Sequence, residues 1–228
     1  MDFSEIERKA RELHIQLWKD RERLFGRPDV RPEELLEPEL AAAVLGVTYE
    51  EHDELGRFGF GRDRFEVAGL IDRDQRKIAV SLVFRGAQLR FTGAHEVGHW
   101  LLHPDQIMHR DRPVDGLHLD RAPKPRKEQE ADYFAACFLV PQRLATEALA
   151  YTFGTAGRFV LDHQTAFLLR PDNPEYLLTA GTNSWDVAMA VATAKSYNGR
   201  HVKSLAEQFR VSPSTMAIRL RELELVAA

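Results

Sequence analysis

The chain has little cysteine: Cys137 is the only one in 228 residues. No internal disulfide can form, which excludes a disulfide-stapled secreted scaffold. Cys137 falls on the apolar face of a helical segment and reads as a buried structural thiol rather than a reactive one. Long hydrophobic runs are lacking too, since no stretch approaches the roughly 20 apolar residues of a membrane span. Met1-Asp2-Phe3-Ser4-Glu5 is acidic where a secretory leader would be basic and then apolar, so a cytoplasmic protein is expected. There is no excess of positive charge: 31 Lys and Arg against 35 Asp and Glu leave a formal charge of −4. That argues against broad attraction to nucleic acid or membrane, though not against a local basic patch. Internal repeats and low-complexity tracts are absent. What is present, 44% hydrophobic and 29% charged residues, suits a globular protein with one large or two small domains and a sizeable core.

The most informative stretch is His95-Glu96-Val97-Gly98-His99-Trp100-Leu101-Leu102-His103. It sets H-E-x-x-H inside an apolar helical run. Four residues make about one turn, so His95 and His99 lie one above the other on one face and can share a Zn²⁺. Glu96 sits one position round, beside the metal, where it can take a proton from a metal-activated water. Gly98 allows another backbone or a substrate to come close. With nine histidines in the chain the motif can also arise by chance, and the plain alternative is a buried helix with two satisfied histidines.

A catalytic zinc needs a third protein ligand and an open position. His103 fails on geometry, because eight residues of helix place it about 12 Å along the axis from His95; it reads as a packing or capping residue before Pro104. The better source is Glu128-Gln129-Glu130-Ala131-Asp132-Tyr133-Phe134-Ala135-Ala136-Cys137-Phe138-Leu139, helical by its spacing of Ala131, Phe134, Ala135 and Phe138. Glu128 and Asp132 share a face. Glu128 can ligate while Asp132 accepts the N–H of a ligating histidine and fixes its tautomer. Glu130 points elsewhere and is the second choice. An amphipathic helix with a solvated acidic start remains the plain reading of this segment taken alone.

The rest of the chain supplies a setting. Residues 4–24 form an amphipathic helix with a Ser4–Glu7 capping box and Ile6, Ala10, Leu13, Leu17 and Leu24 at core spacing; His14 and Trp18 read as surface or packing residues. A second helix opens at Pro32 and restarts at Pro38, ending near Gly46. Val47-Thr48-Tyr49 begins a short strand, and residues 55–64 form a Gly- and Arg-rich loop. Phe65–Ile71 and Lys77–Val83 form strands joined by a polar turn at 72–76. An edge of this sheet can pair with an extended substrate backbone. The motif helix spans about 89–103, and 104–126 is a long polar loop carrying Pro104, Pro113, Pro123 and Pro125. His109 and His118 in that loop, and Tyr133, are distant candidates for stabilising an oxyanion. Pro141 opens a helix to about Ala150, residues 151–183 are irregular with one or two short elements, and 186–196 is helical. Lys203 to Leu220 has the pattern of a helix-turn-helix with Pro213 opening the second helix. As a DNA reader that helix would offer Ser214, Thr215 and Arg219. A helical hairpin packed on the catalytic core is favoured, since basic residues are sparse there.

Taken together, Arg90-Phe91-Thr92-Gly93-Ala94-His95-Glu96-Val97-Gly98-His99-Trp100-Leu101-Leu102-His103 and Glu128-x-x-Ala131-Asp132-x-Phe134-Ala135-Ala136-x-x-Leu139-x-Pro141 resemble the ImmA/IrrE family of zinc metallopeptidases. The resemblance extends upstream to the Ala68-Gly69-Leu70-Ile71-Asp72 and Ile78-Ala79-Val80 hairpin and weakly downstream to Leu205 through Leu223. Two departures are Asp132, where the family often has Asn, and Gly93-Ala94 in place of a bulkier pair before His95. The resemblance implies a gluzincin-like α+β fold: a mainly helical zinc-peptidase core with a small antiparallel sheet, plus a C-terminal helical, helix-turn-helix-like region. It implies one Zn²⁺ per chain on His95, His99 and Glu128, Glu96 as catalytic base and Asp132 behind a ligand, although Mn or Fe also suits such a donor set. Domains are expected at 1–30 (a helix packed on the core), 31–150 (the peptidase domain) and 151–228 (the C-terminal region, its hairpin at about 203–224). The implied activity is endopeptidase cleavage of a helix-turn-helix transcriptional repressor, which relieves repression of a stress or mobile-element regulon. The alternative is a DNA-binding or repressor-binding regulator with a non-catalytic zinc site.

Overall fold

The computed structural model describes residues 2–59, 64–111, 124–180 and 185–227. They divide into two compact units, Met1–Leu139 and Val140–Ala228, so the division falls between the Glu128 helix and the helix that follows Pro141. The architecture is α+β and mainly helical, as the sequence predicts.

The first unit begins with α1 (Phe3–Phe25), which buries Ile6, Ala10, Leu13 and Leu17, the stripe expected from their spacing. The predicted capping box does not form. The Ser4 hydroxyl donates to Asp2 Oδ2 at 2.6 Å, and Glu7 accepts instead from the Tyr133 hydroxyl at 2.6 Å. A tertiary partner has displaced a local one. A 3-10 turn at Pro32–Leu35 leads to α2 (Pro38–Val44), each opening on proline as expected.

Six strands follow in sequence: β1 (Thr48–His52), β2 (Arg57–Phe58), β3 (Phe65–Glu66), β4 (Gly69–Asp72), β5 (Lys77–Ser81) and β6 (Met108–Asp111). Four of them make one sheet in the order β1-β5-β4-β6, while β2 and β3 form a separate ribbon. β4 and β5 are the predicted hairpin, antiparallel with Ile71 opposite Ile78. The sheet is not antiparallel throughout: β1 runs parallel to β5, with Tyr49 opposite Ile78. β5 inserts between β1 and β4, which run in opposite directions, so a strand that returns from β4 by a hairpin must lie parallel to β1. β6 comes from the stretch expected to be loop and pairs antiparallel with the other side of β4, Ile71 facing His109.

Between β5 and β6 stands α3 (Ala87–Leu102), the motif helix. It starts at Gly86, whose φ of 56° and ψ of −126° would strain any residue with a side chain. Every residue from Thr92 to His99 is buried, so this is the central helix of the unit, packed between the sheet, α2 and α4 (Arg126–Leu139). α4 in turn lies against α1. His14 of α1 is a packing residue, its Nε2 2.9 Å from the Phe138 carbonyl oxygen and its ring stacked on Phe138.

The second unit comprises α5 (Gln142–Phe153), β7 (Phe159–Val160), α6 (His163–Leu169), α7 (Pro174–Thr179), α8 (Trp185–Thr193), β8 (Ser196–Tyr197), β9 (Arg200–His201), α9 (Leu205–Phe209), α10 (Pro213–Glu222) and β10 (Val226–Ala227). β10 returns to pair in parallel with β7. Asn198 and Gly199, both at positive φ, turn the β8–β9 hairpin. α9 and α10 are capped by Ser204 and Ser212, each accepting from a backbone N–H three residues on. They buried Leu205, Ala206, Phe209, Met216, Ala217 and Leu220. Arg219 does not face outward as a groove reader would. It is 2% exposed and donates to the Val140 carbonyl at 3.2 Å and to Glu222 at 3.1 Å. Among the described residues no helix is long and apolar enough to cross a membrane.

Candidate metal centre

The site is built where α3 and α4 cross. Gly98 makes the close approach possible: a Cβ there would lie 3.1 Å from the Phe134 ring and 3.2 Å from the Ala131 carbonyl oxygen. The backbone that Gly98 admits is therefore that of α4. The crossing brings Glu128 to the two motif histidines. His95 Nε2 and His99 Nε2 are 3.0 Å apart, and the Glu128 carboxylate oxygens lie 3.4 Å from each. Two donors held at about 2.1 Å in tetrahedral geometry stand roughly 3.4 Å from one another. The triangle thus fits one small divalent ion, and these three residues form the group able to hold a metal among the described residues. Both histidines are essentially inaccessible, while Glu128 is 22% exposed at the mouth of the site.

The ring nitrogens that face away from this triangle are held by hydrogen bonds. His95 Nδ1 is 2.8 Å from Asp132 Oδ1, and Lys124 Nζ donates to Asp132 Oδ2 at 2.7 Å. Burial works to raise the Asp132 carboxyl, but the hydrogen bond and charge of His95, with Lys124 behind, hold it below the usual carboxylate range. His99 Nδ1 has two neighbours, His103 Nδ1 at 2.9 Å and Gln106 Oε1 at 3.0 Å. His103 stands outside the group of three donors, as its distance along the helix predicts. It sits at the C-terminal end of α3, and its Nε2 is 3.0 Å from Glu130 Oε2. Glu130, which the helix spacing directs elsewhere, is 6% exposed and reaches the site by way of His103.

Glu96 is fully buried. Its carboxylate lies against Gly69 of β4, where an added Cβ would stand 1.9 Å from Oε1. β4 is therefore the strand beside the motif glutamate, and it has a strand on each side: the sheet's outer strands are β1 and β6. Gly93 makes room in the same way for the Tyr49 hydroxyl, 2.3 Å from an ideal Cβ. Of the small pair before His95, Gly93 thus lets Tyr49 of β1 approach α3. Burial, with the charges of Glu51, Glu96 and Glu39 around it, pushes the Tyr49 hydroxyl above its ordinary range.

Of the distant candidates, Tyr133 turns toward Glu7 of α1. His118 lies outside the described residues, and only the backbone of His109 is described, in β6. Arg73 has no counterpart in the sequence reading. From the β4–β5 turn it donates to the carbonyls of His99, Trp100 and His103 at 3.0, 2.9 and 3.0 Å and to that of Gln106 at 2.7 Å. The guanidinium also lies 4.5 Å over the Trp100 ring. It closes the end of the motif helix, a role the sequence reading offered to His103.

Among curated proteins nothing matches the chain. A family model does: residues 69–174 match Peptidase_M78, described as the IrrE N-terminal-like domain. That span opens at the glycine beside Glu96 and includes α3 and α4 with His95, Glu96, His99, His103, Glu128, Glu130 and Asp132. Residues 69–174, a little under half of the chain, are thus similar to the IrrE N-terminal-like domain of this peptidase family, in agreement with the resemblance to the ImmA/IrrE metallopeptidases.

Proposed function

We propose that the protein is a zinc-dependent endopeptidase. The observation that carries this reading is the triangle of His95, His99 and Glu128 donors with Glu96, a buried carboxylate that is not part of it, next to His95 on the same helix. A structural zinc has no use for such a neighbour. His95, His99 and Glu128 would hold the zinc ion, which would supply Lewis acidity, enough to bring the pKa of a water to about 7 and to polarise a carbonyl. Glu96 then takes the proton of the attacking water and passes it to the departing amine. Asp132 holds His95 in the Nδ1–H tautomer, so that Nε2 keeps its lone pair for the ion. Glu128 is the most exposed of the three donors.

The substrate we infer is a helix-turn-helix transcriptional repressor, whose cleavage relieves repression of a stress or mobile-element regulon. The family resemblance supports this assignment. The DNA-binding alternative is weakened by Arg219, the cation that would have read a groove, because its guanidinium is committed inside the second unit.

Glu96→Gln tests the reading. The variant is expected to retain about one zinc per chain by elemental analysis and to lose proteolysis of a repressor or a peptide library by at least about 100-fold. A Glu96→Gln protein that cleaves at the wild-type rate rejects the base assignment.

A further inference from the structure

The two histidines of the site are not anchored in the same way. His95 rests directly on a carboxylate, Asp132, at 2.8 Å. His99 meets another imidazole, and only beyond that a carboxylate: Nδ1 to Nδ1 at 2.9 Å, then His103 Nε2 to Glu130 Oε2 at 3.0 Å. If His99 presents Nε2 to an ion, its Nδ1 must carry the proton and donate. His103 can accept at Nδ1 only if its own proton is on Nε2, and the Glu130 carboxylate stands where that proton is held. Arg126 completes the row, its Nε donating to Glu130 Oε1 at 3.1 Å. His103 and Glu130 are 4% and 6% exposed. An acid and an imidazole placed that deep are costly unless each is hydrogen-bonded, and a pair of apolar residues would fill the same space without that cost.

We propose that His103 and Glu130 are positioning residues, a hydrogen-bonded chain that sets the tautomer and ring orientation of His99 and makes it a better metal donor. The inference rests on the reading of His99 as a ligand. Hydrogen bonds in series polarise one another, so the Glu130 charge reaches His99 through the intervening ring. α4 therefore serves the site three times: through Glu128 as donor, through Asp132 behind His95, and through Glu130 behind His103.

The test is zinc affinity of the full chain, measured by competition with a chromophoric chelator, together with the visible absorption of the Co²⁺-loaded protein. His103→Phe and Glu130→Ala are each expected to weaken zinc binding about 10- to 100-fold and to shift the Co²⁺ bands. The double variant is expected to be no weaker than the worse single one, since both break one chain. Glu130→Gln, whose amide oxygen can still accept from His103, should recover part of the loss. Asp132→Ala combined with His103→Phe should multiply the two losses, because each serves a different histidine. If the Phe variant fails to fold by circular dichroism, the comparison of Glu130→Gln with Glu130→Ala decides alone. Folded His103→Phe or Glu130→Ala protein with wild-type affinity and unchanged Co²⁺ bands overturns the proposal and leaves Gln106 as the anchor of His99. His99→Ala binding zinc as tightly as wild type is a separate result, which overturns the ligand assignment itself.

Discussion

A methyl group at position 69 would lie 1.9 Å from Glu96 Oε1 and 2.6 Å from its carboxyl carbon. Gly69 does not sit at positive φ, so alanine meets no backbone strain there and the whole effect falls on the Glu96 side chain. Gly69→Ala is expected to keep its zinc, because no donor is touched, and to lose at least about 10-fold in peptide cleavage as the carboxylate is pushed aside, a cost of about 1.4 kcal/mol in the barrier. Metal analysis and peptide turnover on one preparation check it, and wild-type turnover would mean that Glu96 has slack the structure does not suggest. At this scale the pairs His95–His99 and Glu128–Asp132 were legible in the sequence, since a four-residue spacing puts two side chains on one face of a helix. Glu130 was not. Two positions along from Glu128 it faces away from its neighbour's direction, and helix periodicity says nothing about a side chain that arrives from another element. His103 is that side chain, and the third member of a row His95, His99, His103 was the one visible hint.

Among the elements, the β4–β5 turn does more than reverse the chain. The last carbonyls of a helix lack partners within it. At the end of α3, Arg73 donates to the carbonyl of Trp100, to that of His99, which also accepts from the His103 N–H, and to that of the capping residue His103. Arg76 does the same after α2, donating to Gly46 and Leu45 carbonyls at 3.0 and 3.1 Å. Arg73→Ala is expected to lower the stability of the protein by about 1.5–3 kcal/mol, the range for hydrogen bonds to a charged group. Arg73→Lys should recover part of the loss, because one nitrogen, Nη2, meets the His99, Trp100 and His103 carbonyls and an ammonium can imitate it, whereas the Nε bond to the Gln106 carbonyl is lost. Urea unfolding of both variants measures this, and a full recovery by lysine would reduce the contact to one of charge alone. The strands and their hairpin could be read from alternation and a polar turn, but two features could not. β6 lies in a stretch rich in charge and proline, and it is a strand because β4 offers an open side. The parallel direction of β1 follows from where β5 inserts, a matter of topology that alternation does not record. Asn198-Gly199, by contrast, is a local hairpin signal that the sequence carries openly.

For the molecule as a whole, the donors and everything that holds them, Arg73, His95, His99, His103, Gln106, Glu128, Glu130 and Asp132, fall within Met1–Leu139. Among the described residues none of the second unit contributes a donor. Metal that binds the native state and not the unfolded one stabilises by mass action, by about 2.7 kcal/mol at 100 times the dissociation constant. His95 and His99 on α3 and Glu128 on α4 stand on separate segments, joined by a stretch that includes β6, so an ion held by all three would cross-link two helices distant in sequence. In the full chain, zinc is therefore expected to slow amide hydrogen exchange throughout α3 and α4, where opening must first release the ion. Exchange in α8, α9 and α10 is expected to stay as it was, since those helices pack on one another and none of their described residues is a donor. Exchange measured with zinc and with a chelator separates three outcomes. Protection confined to α3 and α4 places the ion on the donor triangle. Protection that extends equally into α8–α10 means that the two units open together and that the C-terminal helices report on the metal. No protection in α3 and α4 means that zinc is not held there, and the hydrolytic reading loses its chemical basis.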